Sequence, residues 1–197
     1  SRFGGDDWID LSTGINRHPY PVGPVPQRAW TDLPTAQDMA DLLVAAQTAY
    51  GTQAPGLAMT GAQAVIQAVP MLNPRSHARV LSPTYNEHAA TLRAFGWTVD
   101  EVETPDDLIG ADLAVIVNPN NPDGRVLPPR EVLLLADRVG RLIVDESFAD
   151  PTPELSVAPR ANRPGLLVMR SFGKFFGLAG VRLGFAFANT ATIHQLE

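Results

Sequence analysis

The chain has 197 residues, a formal net charge of −6 and a hydrophobic content of 45%. That length fits one domain of ordinary size, or one plus an appendage, with enough apolar material for a core. The acidic balance, with no basic run, argues against a nucleic-acid or anionic-membrane surface, and the lack of cysteine excludes disulfides and thiolate metal sites. Nothing resembles a signal peptide, and the apolar runs Leu113 to Val117 and Leu133 to Ala136 are far too short to span a bilayer, so a cytoplasmic protein is expected.

The first 35 residues are rich in proline and glycine, as in His18-Pro19-Tyr20-Pro21-Val22-Gly23-Pro24, and read as an extended arm over a surface. Thr35 is placed to cap a helix from Ala36 to about Tyr50, with Asp38 in its first turn. Leu57 to Thr60 is a short strand, and Gly61-Ala62-Gln63 opens a second apolar helix to about Leu72. From there strands are predicted at Arg79–Ser82, Thr98–Val102, Asp112–Val117, Arg141–Asp145, Leu166–Ser171 and Leu183–Ala188. Helices are predicted at Glu87–Phe95 and Pro129–Val139, and another starts at Thr190 and is still running when the sequence stops at Glu197. Apolar strands without polar alternation, interleaved with helices, indicate a three-layer α/β/α domain built on a mostly parallel sheet. In such sheets ligands bind beyond the carboxyl ends of the strands.

The single lysine, Lys174, lies in Ser171-Phe172-Gly173-Lys174-Phe175-Phe176-Gly177, whereas the other fourteen cations are arginine. Arginine cannot lose its proton in a protein, but a lysine amine can act as a nucleophile and form a Schiff base. Four further polar features fall at strand ends. Thr60-Gly61-Ala62-Gln63 is a strand-to-helix turn whose free N–H groups suit a phosphate, a weak signal alone because small residues at helix starts are common. Asn118-Pro119-Asn120-Asn121-Pro122-Asp123-Gly124 is a rigid loop able to aim an asparagine amide. Asp145 ends a buried strand and needs a partner: a helix cap, an arginine or a cationic ring nitrogen. Arg182 offers a planar fork for bidentate phosphate contact. Histidines 18, 77, 88 and 194 show no metal-ligand spacing and read as surface or structural, with His18 a remoter candidate for substrate contact. One ligand carries a phosphate, a basic ring nitrogen, a ring oxygen and an aldehyde to match this set, namely pyridoxal 5'-phosphate.

With Ser171-Phe172-Gly173-Lys174 and Arg182, Asn118-Pro119-Asn120-Asn121-Pro122 and Val144-Asp145-Glu146, the chain resembles the fold-type-I pyridoxal-phosphate enzymes. Within them it is similar to the class I/II aminotransferases near histidinol-phosphate aminotransferase. The opening Asp10-Leu11-Ser12-Thr13-Gly14-Ile15-Asn16 with His18-Pro19-Tyr20-Pro21 resembles the cobalamin-pathway threonine-phosphate decarboxylases. The resemblance runs from about Trp8 to the end. It implies that Lys174 bonds the cofactor aldehyde and shuttles a proton, that Asp145 keeps the pyridine nitrogen protonated, and that Asn121 donates to the ring hydroxyl oxygen. Tyr85 would stack on the ring, while Thr60, Gly61, Ala62, Gln63, Ser171 and Arg182 would hold the phosphate. Tyr50 would reach the phosphate of a neighbouring subunit, implying a homodimer, and Asn16 would lie where the arm folds over a small phosphorylated amino-acid substrate.

The resemblance further implies a large domain at residues 36–197 preceded by an arm at 1–35, and a small C-terminal domain beyond Glu197 bearing an arginine for the substrate carboxylate. One departure concerns Phe148, where aminotransferases usually carry tyrosine; the lost hydroxyl fits decarboxylation better than transamination. The expected reaction is therefore decarboxylation of L-threonine O-3-phosphate, with histidinol-phosphate-type transamination the alternative and a non-catalytic domain retaining the fold a third.

Overall fold

The computed structural model describes residues 12–197, so Trp8, Asp10 and Leu11 of the opening motif lie outside the described residues. Seven strands form one sheet: β1 (Gly56–Met59), β2 (His77–Leu81), β3 (Thr98–Val102), β4 (Leu113–Val117), β5 (Leu142–Asp145), β6 (Leu166–Ser171) and β7 (Gly184–Ala188). Their order across the sheet is β1-β7-β6-β5-β4-β2-β3. Every pairing is parallel except those of β7, which runs antiparallel to both β6 and β1. Strands β4 to β7 are buried throughout, which accounts for their unbroken apolar sequences.

Period-two alternation divides the core into two layers. Ala114, Ile116, Leu142, Val144, Leu166, Val168, Phe185 and Phe187 face one side, where they meet Ala46 of α2 (Ala36–Ala49) and Val132 and Leu135 of α5 (Pro129–Ala136). Leu113, Val115, Ile143, Leu167, Met169, Ala186 and Ala188 face the other. There they meet Val65 and Ile66 of α3 (Ala62–Ala68), Ala89 and Leu92 of α4 (Glu87–Ala94) and Ile193 of α6 (Thr190–Leu196). Helices on both faces of a mostly parallel sheet are the predicted three layers.

Local signals set the element ends. Thr35 and Asp38 form a full capping box, the Thr35 hydroxyl accepting from the Asp38 N–H while the Asp38 carboxylate accepts from the Thr35 N–H. The helix expected from Gly61 to Leu72 gives way to a 3₁₀ turn at Val69–Met71, because Pro70 supplies no N–H to continue the α pattern. The Pro129 helix stops at Ala136 rather than Val139. Within the proline-rich arm the structure adds one helical turn that the sequence reading missed, α1 (Arg28–Thr31), whose Arg28 pairs with Asp38 at 2.8 Å. No helix among the described residues is long and apolar enough to cross a membrane.

Candidate active site

Asp145 closes β5 and is only 3% exposed, yet both of its carboxylate oxygens are bonded. Oδ1 accepts from the Ser147 N–H at 2.9 Å and the Ser147 hydroxyl at 2.5 Å. Oδ2 lies 2.9 Å from His88 Nε2, itself buried on α4; an ionised Asp145 makes that nitrogen the donor. Burial pushes the Asp145 carboxyl up, but the His88 and Ser147 bonds outweigh it and hold the group below its ordinary value. An anion is thus kept at the bottom of a cleft. The sequence reading had left His88 as a surface or structural residue; it is buried and part of the site, and nothing in its spacing could have joined it to a residue 57 positions away.

The loop after β4 shows why a run of asparagines was needed. Asn118 is spent on the main chain of Leu127, donating to its carbonyl at 3.0 Å and accepting from its N–H at 2.9 Å. Asn120 donates to the Pro83 carbonyl and Asp123 and accepts from the Thr84 hydroxyl, tying the loop to the segment after β2. Asn121 remains to line the cleft.

Opposite stands the turn between β1 and α3. Gly61 has φ +83°, a backbone conformation that side chains other than glycine rarely adopt, and a Cβ there would lie 3.0 Å from Arg182 Nη2. Arg182 reaches this point because it takes a left-handed conformation (φ 54°) just before β7. Gly184 lets β7 approach closely: a Cβ on it would stand 2.4 Å from the Ala62 nitrogen. Lys174 projects from the loop after β6, its Nζ 5.1 Å from the centre of the Phe148 ring.

These elements enclose a cleft of about 190 Å³ whose lining includes Gly61, Ala62, Gln63, Tyr85, Asn121, Asp145, Ser171, Lys174 and Arg182. Nine of the expected site residues therefore share one cavity. Thr60 is exposed and not part of the lining. Asn16 is also outside it, its side chain donating to the Phe175 carbonyl at 2.8 Å and accepting from the His18 N–H at 2.9 Å. Tyr50 caps α2 on the other side of the sheet, packed edge-on to Phe185 and Phe187 with the Arg170 guanidinium 4.3 Å above its ring. Burial and the nearby Asp150 charge push the Tyr50 phenol up to about 12. Ile15, Ser147 and Phe148 line the cleft in addition.

The donor set fits pyridoxal phosphate. A buried carboxylate suits a protonated ring nitrogen, Asn121 a ring oxygen, Lys174 an aldehyde, and Arg182 beside the glycine turn a phosphate.

The family profile of class I and II aminotransferases matches residues 35–197. The chain is 48% identical to a threonine-phosphate decarboxylase of Sinorhizobium sp, over 95% of this chain and 60% of that protein. It is 47% identical to one of Pseudomonas aeruginosa, over 96% of this chain and 59% of that protein. It thus spans about 60% of the length of these curated relatives. Among solved structures, histidinol-phosphate aminotransferase from Sinorhizobium meliloti in complex with pyridoxal-5'-phosphate matches with a TM-score of 0.75. That match has 22% identity and covers 91% of this chain and 57% of that one, a likeness of fold.

Proposed function

Because this chain belongs to the class I and II aminotransferase family, we propose that it is the cofactor-binding portion of a pyridoxal-phosphate enzyme that decarboxylates L-threonine O-3-phosphate to aminopropanol phosphate. The observation that carries the reading is the single cleft joining the sole lysine to a buried carboxylate held ionised and to an arginine beside a glycine turn. The near-half identity to two threonine-phosphate decarboxylases supports the choice of substrate.

When bound, the cofactor supplies an aldehyde that captures amines and a cationic ring that withdraws electrons from the substrate Cα. Asp145, fixed by His88 and Ser147, would hold a proton on the ring nitrogen. Asn121 and Tyr85 line the cleft, where Asn121 would donate to the ring hydroxyl oxygen and Tyr85 would cover the ring. Arg182 would pair with the phosphate charge, and Ser171 with the Gly61–Gln63 turn would donate hydrogen bonds to it. Lys174 Nζ would carry the proton returned to the substrate, beside the apolar Phe148 ring, which offers no hydroxyl. The reading includes a homodimer whose partner would bring its Tyr50 towards the phosphate.

The test uses the full-length enzyme loaded with cofactor and given threonine phosphate without any keto acid. Release of carbon dioxide, with borohydride fixing the cofactor on Lys174, is the expected result. Turnover that strictly requires a keto-acid acceptor would replace this reading with transamination, and no turnover of any amine would point to a non-catalytic protein.

A further inference from the structure

The arm that precedes α1 does more than cover the cleft. Three successive carbonyls of the lysine loop accept bonds from it: Lys174 O from the Asn16 N–H at 2.9 Å, Phe175 O from Asn16 Nδ2 at 2.8 Å, and Phe176 O from the Tyr20 N–H at 2.8 Å. The loop's own bonds, Gly177 N–H to Lys174 O at 3.3 Å, Val181 N–H to Leu178 O at 3.0 Å and Arg182 N–H to Ala179 O at 3.4 Å, join it only to itself. Upstream, Lys174 is held by β6, where Ser171 pairs with Gly184 and the Phe172 N–H donates to Leu183 O at 3.1 Å. Downstream, the arm provides the bonds from carbonyls 174–176 to a separate part of the chain.

The fit is close on both sides. Gly177 has φ +65°, and a Cβ on it would stand 2.6 Å from Asn16 O and 2.8 Å from the Pro19 Cα. The Tyr20 ring meets Phe176 edge-on at 6.1 Å. Gly14 lies so near the Phe148 ring that a Cβ would be 2.9 Å from it, and that same ring lies beneath Lys174 Nζ. The amide oxygen of Asn16 accepts from the His18 N–H, which turns the arm and aims Nδ2 at the loop.

We propose that Asn16 is a positioning residue for Lys174: through the Phe175 carbonyl it straps the lysine loop in the place from which the amine reaches the cofactor. This rests on Lys174 being the cofactor-bonding lysine. It adds to the expected role of Asn16 as a substrate contact: Nδ2 and Oδ1 each make one bond within the chain and each keep one further bonding position.

Two variants of the full-length enzyme test it. Asn16→Ala removes the donor to Phe175 O and the acceptor for His18, whereas Asn16→Asp keeps the acceptor and removes only the donor. Loss of the bond to Phe175 O, common to both variants, is expected to speed release of the lysine-bound cofactor at least about three- to tenfold. Hydrogen exchange of the amides at 173–178 in the cofactor-free protein should quicken by a similar factor. Wild-type release and exchange rates in Asn16→Asp would overturn the proposal, as would a raised KM with unchanged cofactor release, which marks a substrate contact. If borohydride fails to label Lys174 even in the wild type, it is the proposed function that falls; labelling that persists with rates untouched by either variant sinks the strap alone.

Discussion

Replacing His88 by leucine keeps an apolar volume in the α4 layer but removes the group that faces Asp145 Oδ2 at 2.9 Å. Both side chains are buried, so water cannot take the place of the lost donor. A hydrogen bond to a charged partner is worth about 1.5–3 kcal/mol. In the wild type the Asp145 carboxyl lies below its ordinary value, so its ionisation adds stability above the unfolded-state value, and that contribution is lost as pH falls through the folded-state one. Without His88, burial faces only the Ser147 bonds, and the carboxyl moves up. The variant should therefore be less stable by about 1.5–3 kcal/mol at neutral pH, and the gap should shrink on acidification as the wild type also loses its charge. Urea unfolding of cofactor-free enzyme across that range measures it. Cofactor affinity should fall about ten- to hundredfold at neutral pH if the whole loss appears in the ring-nitrogen contact. A destabilisation of the same size at every pH, or none, would refute the claim that His88 acts through the Asp145 charge.

Arg170→Met removes the cation shared by Glu146 and Asp150, each 2.8 Å from a guanidinium nitrogen and all buried; about 3–5 kcal/mol of stability should disappear, read by urea titration. Adding Glu146→Gln to Arg170→Met should restore part of that loss, since one of the two orphaned charges is then gone. Gly184→Ala drives a methyl to within 2.4 Å of the Ala62 nitrogen, backbone that can move only with the whole turn. It should cost about 1–3 kcal/mol and weaken cofactor binding, while borohydride still labels Lys174 in the fraction that binds; wild-type affinity would show that the Gly61 turn does not hold the phosphate.

The sheet was legible because β4, β5 and β6 open on continuous apolar runs, LAVIV, LIV and LLVM, each followed directly by a polar residue. Thr98–Val102 was expected among the buried strands, but it is a mostly exposed strand at the sheet edge. The direction of β7 was not legible. Leu183–Ala188 reads like its parallel neighbours; the connection from β6 through Gly177 and Gly180 holds no α-helix to make a crossover, and β7 pairs antiparallel. Within the site, Lys174, Asp145 and Arg182 stood out by chemistry. His88 did not, because it matters through a contact 57 residues off in sequence; Asn16 was expected at the substrate, but its bond to Phe175, 159 residues away, was not legible. The resemblance singled out Asn121 of that loop, and the physical reason lies in geometry: Asn118 and Asn120 are consumed by the loop itself, which leaves Asn121 to line the cleft.

The same alternation that builds the two core layers couples the cleft to a charge network out of its sight. On β5, Asp145 turns to the α4 side, and the next residue, Glu146, turns to the α2 side, where it is 0% exposed and accepts from the Ser156 hydroxyl and the Val157 N–H. On β6, Ser171 lines the cleft, and its predecessor Arg170 turns the other way to meet Glu146 and Asp150. Two adjacent strand ends are thus pinned from behind by one ion-paired cluster, and a shift that eased Arg170 from Glu146 would displace Asp145 and Ser171 together. Arg170 Nε and Asp150 Oδ2 have no bonding partner among the described residues, so the cluster is not optimised for stability alone. An apolar replacement of the whole cluster could match its stability, but it would lack the directional bonds that fix β5 against β6. Placing the Asp145 carboxylate in the cleft, more than strengthening the core, is what a buried Glu-Arg-Asp cluster behind it accomplishes.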